Sequence, residues 1–173
     1  VKINRGLKGI YFERSGVSHI DGRAGELLYR GYSIHDLAAH AKFDEVAYLL
    51  IHGELPTSED LTTFRAEMAS AAVPEGVLPV LEAVKDGHPM DAVRTGVSAL
   101  AALEPESADT SEAAFLKNGI RLMAQVPQLI AAHHALREGR TPLPWEAEHS
   151  IAWNWLHMLK GEAPSPEAEA LAD

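Results

Sequence analysis

A chain of 173 residues with 46% hydrophobic and 23% charged content has the length and composition of one globular domain with a sizeable core. Fifteen Lys and Arg against 25 Asp and Glu leave a formal charge of −10 with no basic stripe, which excludes a nucleic-acid surface. With no cysteine there are no disulfides, thiol nucleophiles or thiolate metal sites; no apolar run reaches the roughly 18 residues of a membrane span, and VKINRGLKGI is no signal peptide, so cytoplasm is the expected compartment.

The first 31 residues are rich in glycine and carry short apolar runs. Ile10–Glu13, Ser18–Ile20 and Glu26–Tyr29 read as strands around a turn at Asp21-Gly22, predicting a small β-hairpin and no full sheet. Helical signals dominate from residue 32 onward. The expected fold is therefore mainly α and multi-helical, with 1–31 as a hairpin lead and 32–173 as the helical segment. Ser33 stands at an N-cap position ahead of Ile34, Leu37 and Ala38. Phe43, Val46, Ala47, Leu50 and Ile51 repeat the helical period, with Asp44 and Glu45 in the first turn, Gly53 as the stop and Pro56 beyond it.

Thr57 or Ser58 caps a helix to about Ala72, on which Leu61, Phe64, Arg65 and Met68 share a face. Val73-Pro74-Glu75-Gly76 interrupts it before a further helix at Val77–Lys85. Pro89 or Asp91 opens Met90–Leu103, where Val93, Val97, Leu100 and Leu103 form a narrow apolar stripe among the small residues Gly96, Ser98, Ala99, Ala101 and Ala102. So little bulk allows a second helix to approach closely. After a loop at Glu104–Asp109, Thr110 or Ser111 caps a long helix from about Glu112 to Glu138, with a kink expected at Pro127. Thr141–Pro144 links it to a helix at Ser150–Leu159 that carries Trp153, Trp155 and Met158 and closes at Gly161. A last helix begins at Ser165-Pro166-Glu167 and shows no C-cap signal, as expected of a helix that continues beyond Asp173.

The chemistry-bearing residues do not assemble by spacing. A helical metal pair needs histidines three or four apart, and none of the nine (19, 35, 40, 52, 88, 133, 134, 149 and 157) meets that rule. Gly16-Val17-Ser18 and Gly96-Val97-Ser98 begin a nucleophile-elbow pattern, but Ile20 and Leu100 stand where its last glycine belongs. Gly6-Leu7-Lys8-Gly9 is too short for a phosphate loop. The pairs Asp44/Glu45 and Glu59/Asp60 sit in first turns, where the helix dipole accounts for them. Arg30 and Arg94 are the anion-binding candidates; Arg30, between Tyr29 and Tyr32, fits a structural stack or ion pair better. His52 before Gly53 suits a helix C-terminus as well as a catalytic task. No catalytic, substrate-binding or metal residue is assigned.

The order YRGY, a short helix, FDEVAYLL and HGELP within Gly25–Pro56 resembles the N-terminal part of the citrate synthase family, which includes the 2-methylcitrate synthases. GLKGIYFERSGVSHID at 6–21, HPMDAVRTGVSALAAL at 88–103 and GEAPSPEAEALAD at 161–173 agree in the same order. The resemblance implies an enzyme that condenses acetyl-CoA or propionyl-CoA with oxaloacetate, removing a proton alpha to the thioester carbonyl with an aspartate base and two assisting histidines. In the family those residues, and the arginines and histidine that hold oxaloacetate, lie beyond the stretch matched here. None of them is carried onto 1–173, and the chain alone is expected to be inactive and to bind no cofactor, acetyl-CoA being a substrate of the intact enzyme. The resemblance further implies part of the large helical domain. Helices near 89–103 and 112–138 would then lie in a homodimer interface, with Val93, Gly96, Val97 and Leu100 as candidate contacts, or would meet a complementary C-terminal chain. An ordinary buried helix within one chain explains the small residues of 89–103 nearly as well. The alternative function is a stand-alone helical dimerisation or regulatory module without catalysis.

Overall fold

The computed structural model describes residues 6, 9, 10, 13–104 and 109–173, and within them the chain forms two compact units, 1–57 and 58–173.

In the first unit, β1 (Ser18–Asp21), β2 (Glu26–Tyr29) and β3 (Tyr32–Ser33) form an antiparallel sheet in that order, with Ser18 opposite Tyr29 and Leu28 opposite Ser33. The expected strand at Ile10–Glu13 falls partly outside the described residues; Ile10 and Glu13 themselves are not in a strand. The expected hairpin is β1–β2, and the two-residue β3 extends it. The third strand exists because Arg30 and Gly31 both adopt positive φ, 49° and 92°, the requirement of a two-residue turn that follows the strand twist. Arginine rarely takes this conformation. Here its amide donates to the Val17 carbonyl at 2.9 Å, and its guanidinium Nη2 donates to the Leu50 carbonyl at 2.8 Å. Arg30 is thus a structural tie between the sheet and a helix end.

At the first turn, the Asp21 carboxylate accepts from the Arg23 amide at 2.8 Å and the Ala24 amide at 3.0 Å. The Ala24 and then the Arg23 bond hold this carboxyl below the usual carboxylate range. A depressed carboxyl contributes above its unfolded value, near pH 3.9, and that contribution is lost as pH falls through the lower folded value. Acidification below about pH 4 should therefore loosen this turn, seen as faster exchange of the Arg23 and Ala24 amides. In Asp21→Asn their protection should not change with that titration.

Two helices complete the unit. In α1 (Ile34–His40) the Ser33 hydroxyl accepts from the His35 amide at 3.2 Å, the expected cap, and Leu37 is buried. In α2 (Phe43–His52) Glu45 reaches back to the Lys42 amide at 2.8 Å, and Gly53 closes the helix with φ 96°. Ala47 and Leu49 are the buried residues of α2, whereas Phe43 is 43% exposed. Of the apolar period read from sequence, Ala47 is buried, Val46, Leu50 and Ile51 are half-buried and Phe43 is exposed; Leu49, outside that period, is fully shut off from solvent. Tyr32, beside the Arg30-Gly31 turn, is exposed.

The second unit is helical: α3 (Ser58–Ala69), a 3₁₀ turn at Glu75–Val77, α4 (Leu78–Ala83), α5 (Pro89–Leu103), α6 (Glu112–Arg137), α7 (Ile151–Lys160) and α8 (Pro166–Ala172). α3 buries Phe64 and Met68 but leaves Arg65 outside, so Arg65 does not belong to the inner face. α3 stops at Ala69, short of the expected Ala72; Pro74 leads into the 3₁₀ turn, which delays α4, shorter than the span Val77–Lys85 predicted. Val77, Leu81, Leu100, Leu129 and Ala132 form the core, with Leu78, Val97 and Leu136 packed on it. Ser111 caps α6 by accepting from the Ala114 amide at 3.2 Å. α6 continues through Pro127 as one helix, although the ring removes the donor that the Met123 carbonyl would otherwise receive.

Candidate functional site

α5 is the helix on which the candidate contacts lie. Its cap is neither Pro89 nor Asp91 but His88, whose Nδ1 accepts from the Met90 amide at 3.2 Å. An imidazole nitrogen can do what a serine oxygen does at this position, and Pro89 then occupies the first helical position. The inward face is Ala92, Gly96 and Leu100. A Cβ at Gly96 would stand 3.1 Å from both methyls of Leu129 and 3.3 Å from a methyl of Leu81, so α4, α5 and α6 meet at this one position. Gly96 and Leu100 are accordingly occupied within the chain. Val93 and Val97 are half-buried, and Leu103, expected on the apolar stripe, is 45% exposed. Exposed apolar surface on the α5–α6 pair lies instead at Met90, Leu103, Phe115, Leu116 and Ile130, with Phe115 at 76%.

Polar side chains fix this pair to its surroundings. Glu104, just past α5, accepts from Arg121 Nη2 at 2.6 Å and Gln125 Nε2 at 2.8 Å, both on α6. One turn on, Gln128 donates through Nε2 to the Ala71 carbonyl at 2.9 Å and accepts through Oε1 from the Val73 amide at 3.0 Å. Gln125 and Gln128 are almost fully buried, which is tolerable because these bonds satisfy them. Removing the carboxylate leaves two donors without their acceptor. Because Glu104 and Arg121 keep 14% and 25% exposure, Glu104→Ala should cost about 2 kcal/mol in denaturant unfolding. Glu104→Gln, which retains an acceptor oxygen, should cost about half of that.

Two of the histidines, His149 and His157, come together in one place. His149, Trp153 and His157 lie on successive turns at the start and along α7, with ring centroids 3.6 Å and 4.7 Å apart in sequence order. Glu146 reaches both histidines, Oε2 at 3.5 Å from His149 Nε2 and Oε1 at 3.4 Å from His157 Nε2. Beneath them Asn154, fully buried, locks the preceding segment: its Oδ1 accepts from the Glu146 amide at 2.8 Å. Its Nδ2 faces the carbonyls of Glu146, His149 and Ser150 at 2.8, 3.3 and 3.1 Å. Ser150 caps α7 through the Trp153 amide and donates to Glu169 of α8 at 2.6 Å. This arrangement braces a helix start. Pairwise histidine spacing missed it, because the two rings are eight residues apart and an indole joins them.

The remaining candidates are dispersed. His19 lies on β1, His35 and His40 on α1, and His133 is buried on α6 beside exposed His134. His52 ends α2, its ring stacked 4.2 Å from Tyr48. Arg94 pairs with Asp91 at 2.8 Å on the surface of α5, and Ser98 donates to the Arg94 carbonyl. Ser18 is a strand residue on β1. Among the described residues, no group of three His, Asp or Glu is arranged to hold a metal ion. No described helix is long and apolar enough to cross a membrane.

A family profile described as citrate synthase, C-terminal domain, matches residues 6–173. Over 167 residues the chain is 38% identical to a citrate synthase of Mycolicibacterium smegmatis, covering 95% of this chain and 44% of that protein. It is 41% identical over 179 residues to the citrate synthase of Haloferax volcanii, covering 99% and 46%. Against a 2-methylcitrate synthase of Mycobacterium tuberculosis it is 38% identical over 164 residues, covering 94% and 41%. The crystal structure of citrate synthase from Pyrobaculum aerophilum superposes with a TM-score of 0.91 at 26% identity, covering 97% of this chain and 44% of that one. The chain thus spans under half the length of the relatives it matches. With a profile matched over nearly its whole length and a superposable helical scaffold, the chain belongs to the citrate synthase family.

Proposed function

We propose that this chain is one portion of an enzyme that condenses acetyl-CoA or propionyl-CoA with oxaloacetate, giving citrate or 2-methylcitrate. The observation that carries the reading is the match to both kinds of synthase over 94% to 99% of this chain but under half of theirs. The α5–α6 pair, Glu104 network and α7 brace supply scaffold, and the groups that would abstract a proton and hold the dicarboxylate are contributed by the rest of the enzyme. In this reading 32–173 belongs to the large helical domain, and the intact enzyme is a cytoplasmic homodimer of the tricarboxylic acid cycle or of propionyl-CoA metabolism. The α5–α6 surface lies in its subunit interface. Val93 and Val97 are the members of the candidate set with surface left to offer, since Gly96 and Leu100 are enclosed. Acetyl-CoA is a substrate of that enzyme and no cofactor is held by this portion.

The test is CoA release from acetyl-CoA or propionyl-CoA with oxaloacetate. The purified 173-residue chain should release none above the uncatalysed rate, while the intact protein, verified by its mass, should turn over. Turnover by the 173-residue chain alone would overturn the reading of its residues as scaffold. The closed core at Val77, Leu81, Leu100 and Leu129 favours a second reading, a stand-alone dimerisation or regulatory module. That module would by itself melt cooperatively with a large heat-capacity change and strong near-UV dichroism, whereas a portion would do so only within the intact enzyme, where the unfolding effects of its substitutions are then read.

A further inference from the structure

We draw no further inference here: the strongest candidate, the Glu146–His149–Trp153–His157 cluster along α7, belongs to the helix brace already described, and nothing in the structure points to a ligand that it would take.

Discussion

Replacing Asn154 by leucine is expected to lower stability by about 3 kcal/mol in denaturant unfolding. The two side chains have the same number of heavy atoms, but leucine branches at a tetrahedral carbon and is bulkier, so overpacking at this buried position adds to the loss of polar partners. Asn154 is fully buried, and its amide is the acceptor for the Glu146 N–H and the donor to a group of carbonyls at the start of α7. Leucine leaves the N–H and at least one carbonyl without their partners against an apolar side chain, at about 1–3 kcal/mol each. Asn154→Asp separates the two halves of the amide's work. Its carboxylate keeps the acceptor for Glu146 N–H but turns a second oxygen toward three carbonyl oxygens, which burial and repulsion both oppose. Protonation converts that oxygen into a donor. The folded state therefore favours the protonated acid, so stability of Asn154→Asp should recover as pH falls, whereas that of Asn154→Leu should not recover through this site. Equal pH profiles for the two variants would contradict the assignment of the amide as the lock on residues 146–150.

At Gly96 the expected effects grow steeply with side-chain size. Alanine gains about 1 kcal/mol over glycine within a helix, and a Cβ 3.1 Å from Leu129 and 3.3 Å from Leu81 costs about 1–3 kcal/mol by overpacking. Gly96→Ala should therefore lose about 1 kcal/mol net. Leu81 and Leu129 are both fully buried and have no solvent side to move toward. Gly96→Val adds β-branching and two further methyl groups into the same contact and should lose more than about 3 kcal/mol, enough to unfold a marginal domain. Thermal melts of the two variants against the parent decide this. If Gly96→Val melts like Gly96→Ala, the three helices do not converge at this point.

Much of the scaffold was legible because it is written in local signals. Ser33, Ser111, Ser150 and Ser165 each occupy an N-cap and accept a backbone amide, as the residue type predicts. Gly53 and Gly161 close α2 and α7 with positive φ. The small residues of α5 announced a close helix approach, but which helix approached was not legible, since Leu129 lies 33 residues further on. β3 was hidden because its turn uses Arg30 at a position where glycine or asparagine is the readable sign. His88 was passed over as a cap for the same reason: an uncommon residue performs an ordinary role. The brace on α7 had a signal, an aromatic between two histidines at four-residue intervals with Glu146 three residues ahead. It becomes visible only when aromatic residues are counted with ionisable ones.

The two glutamines of α6 also bear on how this unit folds. Gln128 bonds to Ala71 and Val73 across sequence separations of 57 and 55 residues, and Gln125 to Ala72 across 53. Closing a loop of that size costs roughly 3.5 kcal/mol of chain entropy beyond a constant, and the few bonds at the junction offset little of it alone. The stretch between α3 and α4 is therefore expected to gain its order after the middle of α6 is helical and the intervening α4 and α5 are docked. Late closure of this long loop, with the Val73 amide becoming protected together with the core of α6, is the kinetic signature that such an arrangement imposes on the chain.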